Sequence, residues 1–173
     1  EPPERRLVEM LMAGRLQQAI YAAAALGVAD VLAQGPLDIG EISLRTKSHP
    51  DALQRLLRAL AGYGIFAEDD QQRYALTPMA SLLRTGTPMS MRPVALWCGT
   101  VAQRVFGDIE HTMRSGKPAF DHVFGMEFFD YLDSNRDVGE MFDAFMERQT
   151  AGLAATVPTA YAFDEIGTLV DVG

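Results

Sequence analysis

The sequence predicts a mainly α-helical protein in three parts: an N-terminal winged-helix domain, a helical connector, and the first strand of an α/β unit. Three observations carry that prediction. Residues 38–83 read as helix, turn, helix and β-hairpin. Residues 90–150 keep helical spacing between the breaks Gly107, Gly116-Lys117-Pro118 and Gly125. Residues 168–172, Thr168-Leu169-Val170-Asp171-Val172, form an apolar, β-branched run ahead of Gly173, as a central parallel strand does. The parts divide at 1–100, 101–163 and 164–173.

In residues 4–34, Leu7, Leu11, Ile20, Leu26 and Val31 recur near helical spacing, and small residues crowd between Ala19 and Ala25. Gly27 breaks the run and Val28 to Leu32 resumes it. So much alanine and apolar surface predicts burial on several sides, part of it supplied by a partner subunit. Ile39, Ile42 and Leu44 mark a short helix. Ser48-His49-Pro50-Asp51 is a helix start, with Ser48 as the expected cap and Pro50 in the first turn. Leu53, Leu56, Leu57, Leu60 and Ala61 then form one stripe, which Gly62 and Gly64 end. Residues 65–68 and 73–77 are strand-like runs around the turn Asp69-Asp70-Gln71-Gln72. Thr77-Pro78 opens a helix expected to reach Leu83.

Composition narrows the function classes. The chain has 173 residues, 48% hydrophobic and 22% charged, which suits a packed core and not a disordered or fibrous chain. The uncharged run Leu16 to Ala29 contains Gln17 and Gln18 and is shorter than the roughly 20 apolar residues of a membrane span, so no membrane partner is expected. The N-terminus shows no signal pattern. A lone Cys98 excludes an internal disulfide and fits a reducing cytoplasm. The chain stops at Val172-Gly173 straight after an apolar run, so we expect the natural protein to be longer.

The net charge is −8, with −9 in residues 105–173, so no nucleic-acid partner is expected. The wing itself agrees. Its tip carries Glu68, Asp69 and Asp70, with Arg73 behind, and the helix before it offers only Gln54, Arg55 and Arg58. Carboxylates at that position repel phosphates, which favours a packing and dimer scaffold over a DNA reader. His49, His111 and His122 are not spaced as metal ligands and are expected at the surface or in hydrogen bonds. Cys98 follows Trp97 in an apolar stretch and is expected to be buried. No metal site is expected, and no catalytic residue stands out.

The informative stretch is aromatic. Phe106, Phe120, Phe124, Phe128, Phe129, Tyr131, Phe142, Phe145 and Phe163 crowd one region with Met113, Met126, Met141 and Met146. Such a set is either plain core or the lining of a pocket for a flat apolar ligand. The final strand, with its late acid and glycine, is how a Rossmann-type unit begins, although the glycine-rich turn is missing.

In order and spacing, these pieces resemble the small-molecule, S-adenosylmethionine-dependent O-methyltransferases, both the caffeic-acid type and the bacterial enzymes that tailor polyketides and phenazines. Residues 1–100 look like that family's winged-helix dimerisation domain. Gly116-Lys117-Pro118-Ala119-Phe120, with Phe124 to Leu132, is similar to its G-x-P-x-F … G-x-x-F/W-x-Y-L stretch. Phe142-Asp143-Ala144-Phe145-Met146 is similar to its F-x-x-x-M helix, and Leu169 to Gly173 to the start of its LVDVGGGxG cofactor motif. Phe145 and Thr150 resemble the bacterial branch more than the plant one.

The resemblance implies roles. Gln103, Phe106, Phe129, Phe142 and Met146 match substrate-pocket positions; Tyr131, Thr150, Asp171 and Gly173 match positions near the cofactor. It implies S-adenosylmethionine as cofactor, an aromatic hydroxyl as acceptor, and a homodimer through the N-terminal helices, with Leu16 to Leu26 as the expected surface. The connector is then the substrate-pocket part, and 164–173 the start of a Rossmann-like methyltransferase domain. The remaining glycines, the ribose-binding acid and any histidine base are absent, so these 173 residues alone are expected to be inactive. The alternatives are a winged-helix transcription regulator with an effector-binding domain, and a catalytically inactive methyltransferase-like dimer.

Overall fold

A computed structural model describes residues 2–160, 166–168 and 170. The expected strand at 168–172 therefore lies largely outside the described residues, as do Phe163, Asp171 and Gly173. The chain opens on the long helix α1 (Pro3–Ala25), with proline in its first turn. Gly27 ends it at φ 68°, a left-handed conformation that glycine adopts without a Cβ clash. The short α2 (Val28–Val31) and a 3₁₀ turn (Leu32–Gln34) follow. Asp38 caps α3 (Ile39–Thr46) by accepting the Glu41 N–H at 2.9 Å.

α4 (Pro50–Gly62) carries Leu53, Leu57 and Leu60 on its buried face. Its N-cap is His49 and no side chain caps it. The expected cap, Ser48, instead hydrogen-bonds Thr46 through the two hydroxyls at 2.7 Å, because its backbone N–H already closes the end of α3 on the Ser43 carbonyl. β1 (Phe66–Glu68) and β2 (Tyr74–Leu76) pair antiparallel, Ala67 opposite Ala75. The Asp69 carboxylate accepts the N–H groups of Gln71 and Arg73 and pairs the Arg73 guanidinium, which closes the wing tip. Thr77 caps α5 (Pro78–Ser81) and donates its hydroxyl to the Ile65 carbonyl at 2.6 Å. This helix stops before the expected Leu83, which is buried all the same.

One core joins these elements: Ala23 and Ala24 of α1, Val28, Leu32, Ile42, the three α4 leucines, Phe66 and Tyr74. Each large apolar side chain fully buried here contributes about 1.5–3 kcal/mol. The core takes part of the expected dimer surface. Ala23 and Ala24 are consumed by the chain's own packing, whereas Leu7, Val8, Met10 and Leu11 are exposed half a helix upstream.

α6 (Arg92–Trp97), at the end of the N-terminal part, runs through a π-helical turn (Cys98–Ala102) into the connector's α7 (Gln103–Gly107). The wider turn displaces carbonyls from the helix ladder, and α1 supplies donors to them. Gln17 Nε2 donates to the Cys98 carbonyl at 2.7 Å and Gln18 Nε2 to the Gly99 carbonyl at 3.3 Å. α8 (Ile109–Ser115), α9 (Ala119–Phe124) and α10 (Phe128–Ser134) are single short helices ended by Gly116, Gly125 and Asn135. α11 (Arg136–Ala160) then packs back across α6 and α10. The glycine breaks read from the sequence fall where these helices end.

Candidate functional site

The connector's helices converge on Trp97, at the end of α6 and only 8% exposed. Its indole lies 4.9 Å from the Phe142 ring and 5.7 Å from Phe145, both on α11, and meets Phe128 of α10 edge-on at 6.2 Å. Phe120 of α9 extends the cluster to Phe124 at 4.6 Å, Phe128 at 4.9 Å and Tyr131 at 5.5 Å. Most pairs are tilted or edge-to-face, the arrangement that ring quadrupoles favour. The rings come from α6, the short α9 and α10, and the long α11, and the break at Gly125 lets α9 and α10 meet. The middle of the cluster is core, and its fringe is open.

The expected pocket residues divide accordingly. Phe142 sits inside the cluster. Phe129 stacks edge-on to Phe128 at 5.1 Å but is 71% exposed, and Met146, one turn beyond Phe142 on α11, is 40% exposed. Gln103 and Phe106 lie on α7; both are exposed, and no ring contact of Phe106 occurs among the described residues. Tyr131 is packed between Phe120 and Phe124, with its carbonyl accepting from the Asn135 amide. Thr150 donates its hydroxyl to the Met146 carbonyl at 2.9 Å, within its own helix. The structure thus joins Phe129, Tyr131 and Phe142 into one aromatic surface and leaves Gln103, Phe106 and Thr150 outside it.

Arg104 places its guanidinium 4.2 Å from the centre of the Phe124 ring, a cation on an aromatic face. Burial pushes the Cys98 thiol up from its ordinary value, which keeps it protonated and a poor nucleophile. Two of the three wing carboxylates are engaged: Asp69 holds Arg73, and Arg58 binds Glu68 at 3.1 Å and holds its carboxyl below the usual value. Three features escaped the sequence reading. The lone tryptophan is the hub of the cluster, a role its position beside Cys98 did not signal. The π-helical turn has no sequence signature beyond Gly99. A cluster of Asp108, His111 and His122 forms across the turn at 116–118.

A concavity of about 400 Å³ lies between α1 and α6, lined by Ala13, Leu16, Ile20, Met91 and Val94 among others. It is apolar and lies beside the exposed apolar face of α1. No single helix among the described residues is long and apolar enough to cross a membrane.

Comparison with known proteins agrees with this geometry. Residues 8–86 match the O-methyltransferase dimerisation domain. The phenazine O-methyltransferase PhzM of Lysobacter antibioticus is 35% identical over 167 residues, covering 96% of this chain and 49% of that protein. The crystal structure of LaPhzM superposes with a TM-score of 0.91 at 35% identity, over 94% of this chain and 49% of that one. The O-methyltransferase NcsB1 from neocarzinostatin biosynthesis, solved with S-adenosylmethionine and 2-hydroxy-5-methyl naphthoic acid, superposes with a TM-score of 0.73 at 29% identity. That match covers 88% of this chain and 47% of NcsB1. The chain spans about half the length of the curated relatives it matches.

Proposed function

Because this chain belongs to the O-methyltransferase family through its dimerisation domain, we propose that it forms the dimerisation and substrate-capping portion of an enzyme that methylates a hydroxyl on an aromatic small molecule. The observation that carries the reading is the cluster around Trp97, with Phe129 and Met146 left open at its edge. Residues 1–100 act as the dimerisation domain, 101–163 as the pocket wall, and 164–173 open a cofactor domain. The acceptor ring packs on Phe129, Phe142 and Met146, with Gln103 and Phe106 brought in by closure of α7 or by the partner subunit. Tyr131, Thr150, Asp171 and Gly173 stand toward the cofactor. The intact protein works as a cytoplasmic homodimer in secondary metabolism, with α1 as the main interface.

The residues present suit S-adenosylmethionine. Arg104 over Phe124 is a direct instance of this cluster taking a cation on a ring face, and aromatic faces with a thioether surround a sulfonium without competing as nucleophiles. When bound, that cofactor supplies an electrophilic methyl group. The chain's own contribution is positioning and exclusion of water: flat walls orient the acceptor ring for in-line attack, and the apolar fringe keeps the site dry. No group among the described residues is placed as a base, so the phenol proton goes to a residue outside this portion.

The test is calorimetry with S-adenosylhomocysteine on a protein carrying this chain together with its cofactor domain, followed by transfer of labelled methyl to a panel of phenolic acceptors. We expect saturable binding and labelled product. Absence of both defeats the reading. Binding without transfer to any acceptor supports the inactive-dimer alternative.

A further inference from the structure

The geometry points to a binding site for a first-row divalent metal, of zinc type, formed by Asp108, His111 and His122 of the connector. Asp108 sits at the junction of α7 and α8, His111 in the first turn of α8, and His122 within α9. Gly116, at φ 70°, reverses the chain between the last two. As a result one potential ligand atom from each of the three lies within 4.8 Å of the others.

The three side chains are near enough to share one ion after side-chain rotation. His122 Nδ1 lies 2.6 Å from Asp108 Oδ2. Around a zinc ion with ligand bonds of about 2.0–2.2 Å, tetrahedral N and O ligands stand about 3.3 Å apart. The pair therefore needs to open by well under 1 Å, and both side chains have room, His122 being 58% and Asp108 36% exposed. His111 stacks on the His122 ring at 4.1 Å and 7°, so the exposed His122 ring must turn out of the stack for both imidazoles to aim a nitrogen at one ion. The His–Asp hydrogen bond and the ring stack hold the three side chains together, and a metal would replace both contacts with bonds to one ion.

The donor chemistry chooses the ion. Two imidazole nitrogens and one carboxylate suit zinc, cobalt or nickel, and not calcium or magnesium, which take oxygen ligands. Three protein ligands on an exposed face leave at least one position for water. The surrounding segment, which carries most of the chain's negative charge, attracts a cation. His122 lies between Phe120 and Phe124 on α9, so a metal here pins α9 to α8 and stiffens one wall of the aromatic cluster.

The test is titration of the tag-free full chain with zinc chloride by calorimetry, beside His111→Gln, His122→Gln, Asp108→Asn and His49→Gln. His49 is the remaining histidine, exposed at the start of α4. We expect one zinc per chain, affinity at least about tenfold weaker in each cluster variant, no change in His49→Gln, and a rise in melting temperature with zinc that the cluster variants lack. Circular dichroism without metal confirms that the variants are folded. No saturable binding at one equivalent, cluster variants that bind like the parent, or equal loss in His49→Gln would each overturn the proposal. None of these readouts depends on methyl transfer.

Discussion

Gly99 is the point where α1 and the π-helical turn touch, and Gly99→Ala tests whether that contact organises the connector. A Cβ built on Gly99 overlaps both Cβ and Cγ of Tyr21. The overlap with Tyr21 Cβ is decisive, because no side-chain rotation moves that atom; only separation of the helices does. Ordinary contact needs roughly 3.4–4 Å between carbons, so the two backbones must part by more than 1 Å. That movement strains the Gln17 and Gln18 hydrogen bonds to the displaced carbonyls. Overpacking costs about 1–3 kcal/mol, and each weakened hydrogen bond up to about 1 kcal/mol. Alanine's better helix propensity returns about 1 kcal/mol. The net expectation is a loss centred on about 2 kcal/mol, or roughly 4–8 °C in melting temperature for a chain of this size. Urea unfolding followed by circular dichroism and by Trp97 fluorescence measures it. Adding Tyr21→Ala should not rescue the variant, since its Cβ remains, whereas Tyr21→Gly should rescue in part. A Gly99→Ala protein within about 0.5 kcal/mol of the parent refutes the reasoning.

Trp97→Ala should cost about 3–5 kcal/mol, as for other buried aromatic truncations, while Phe129→Ala should leave stability nearly unchanged and weaken acceptor binding in the intact enzyme; equal melting losses would contradict the division into core and fringe. Leu11 is 69% exposed on α1, so Leu11→Asp should leave the helical spectrum intact but shift sedimentation from dimer toward monomer, and an unchanged dimer would place the interface elsewhere. The Arg58 hydrogen bond lowers the Glu68 carboxyl from its ordinary value of 4.5. The folded state then binds fewer protons than the unfolded one, so this contribution is full above that value and fades as pH falls through the lower folded one. Stability measured from pH 6 downward should fall less steeply in Glu68→Gln than in the parent, and parallel curves would show that the pair does not couple to folding.

Much of the fold was legible because its signals are local. The leucine stripe from Leu53 to Leu60, the Thr77-Pro78 start and the breaks at Gly107, Gly116 and Gly125 act within one or two turns of chain. Local signals competed at Ser48, where the end of one helix and the start of the next lie three residues apart, and the hydroxyl served the first. The candidate site was legible only as a list of aromatics. Which were core and which were fringe depends on how α9, α10 and α11 fold back on Trp97, and no spacing encodes that.

By itself, the sequence determined the helical class, the hairpin wing, the acidic tip that disfavours nucleic acid, and the motif order shared with the O-methyltransferases. Those follow from periodicity, turn chemistry and charge, which each residue carries wherever the chain goes. The tertiary structure alone decided that Ala23 and Ala24 serve the chain's own core while the face around Leu11 stays free. It also decided that Trp97 is the hub, and that Asp108, His111 and His122 meet across a glycine turn. The physical reason is the same in each case: burial and side-chain proximity are properties of contacts between distant segments, and they exist only once those segments have packed.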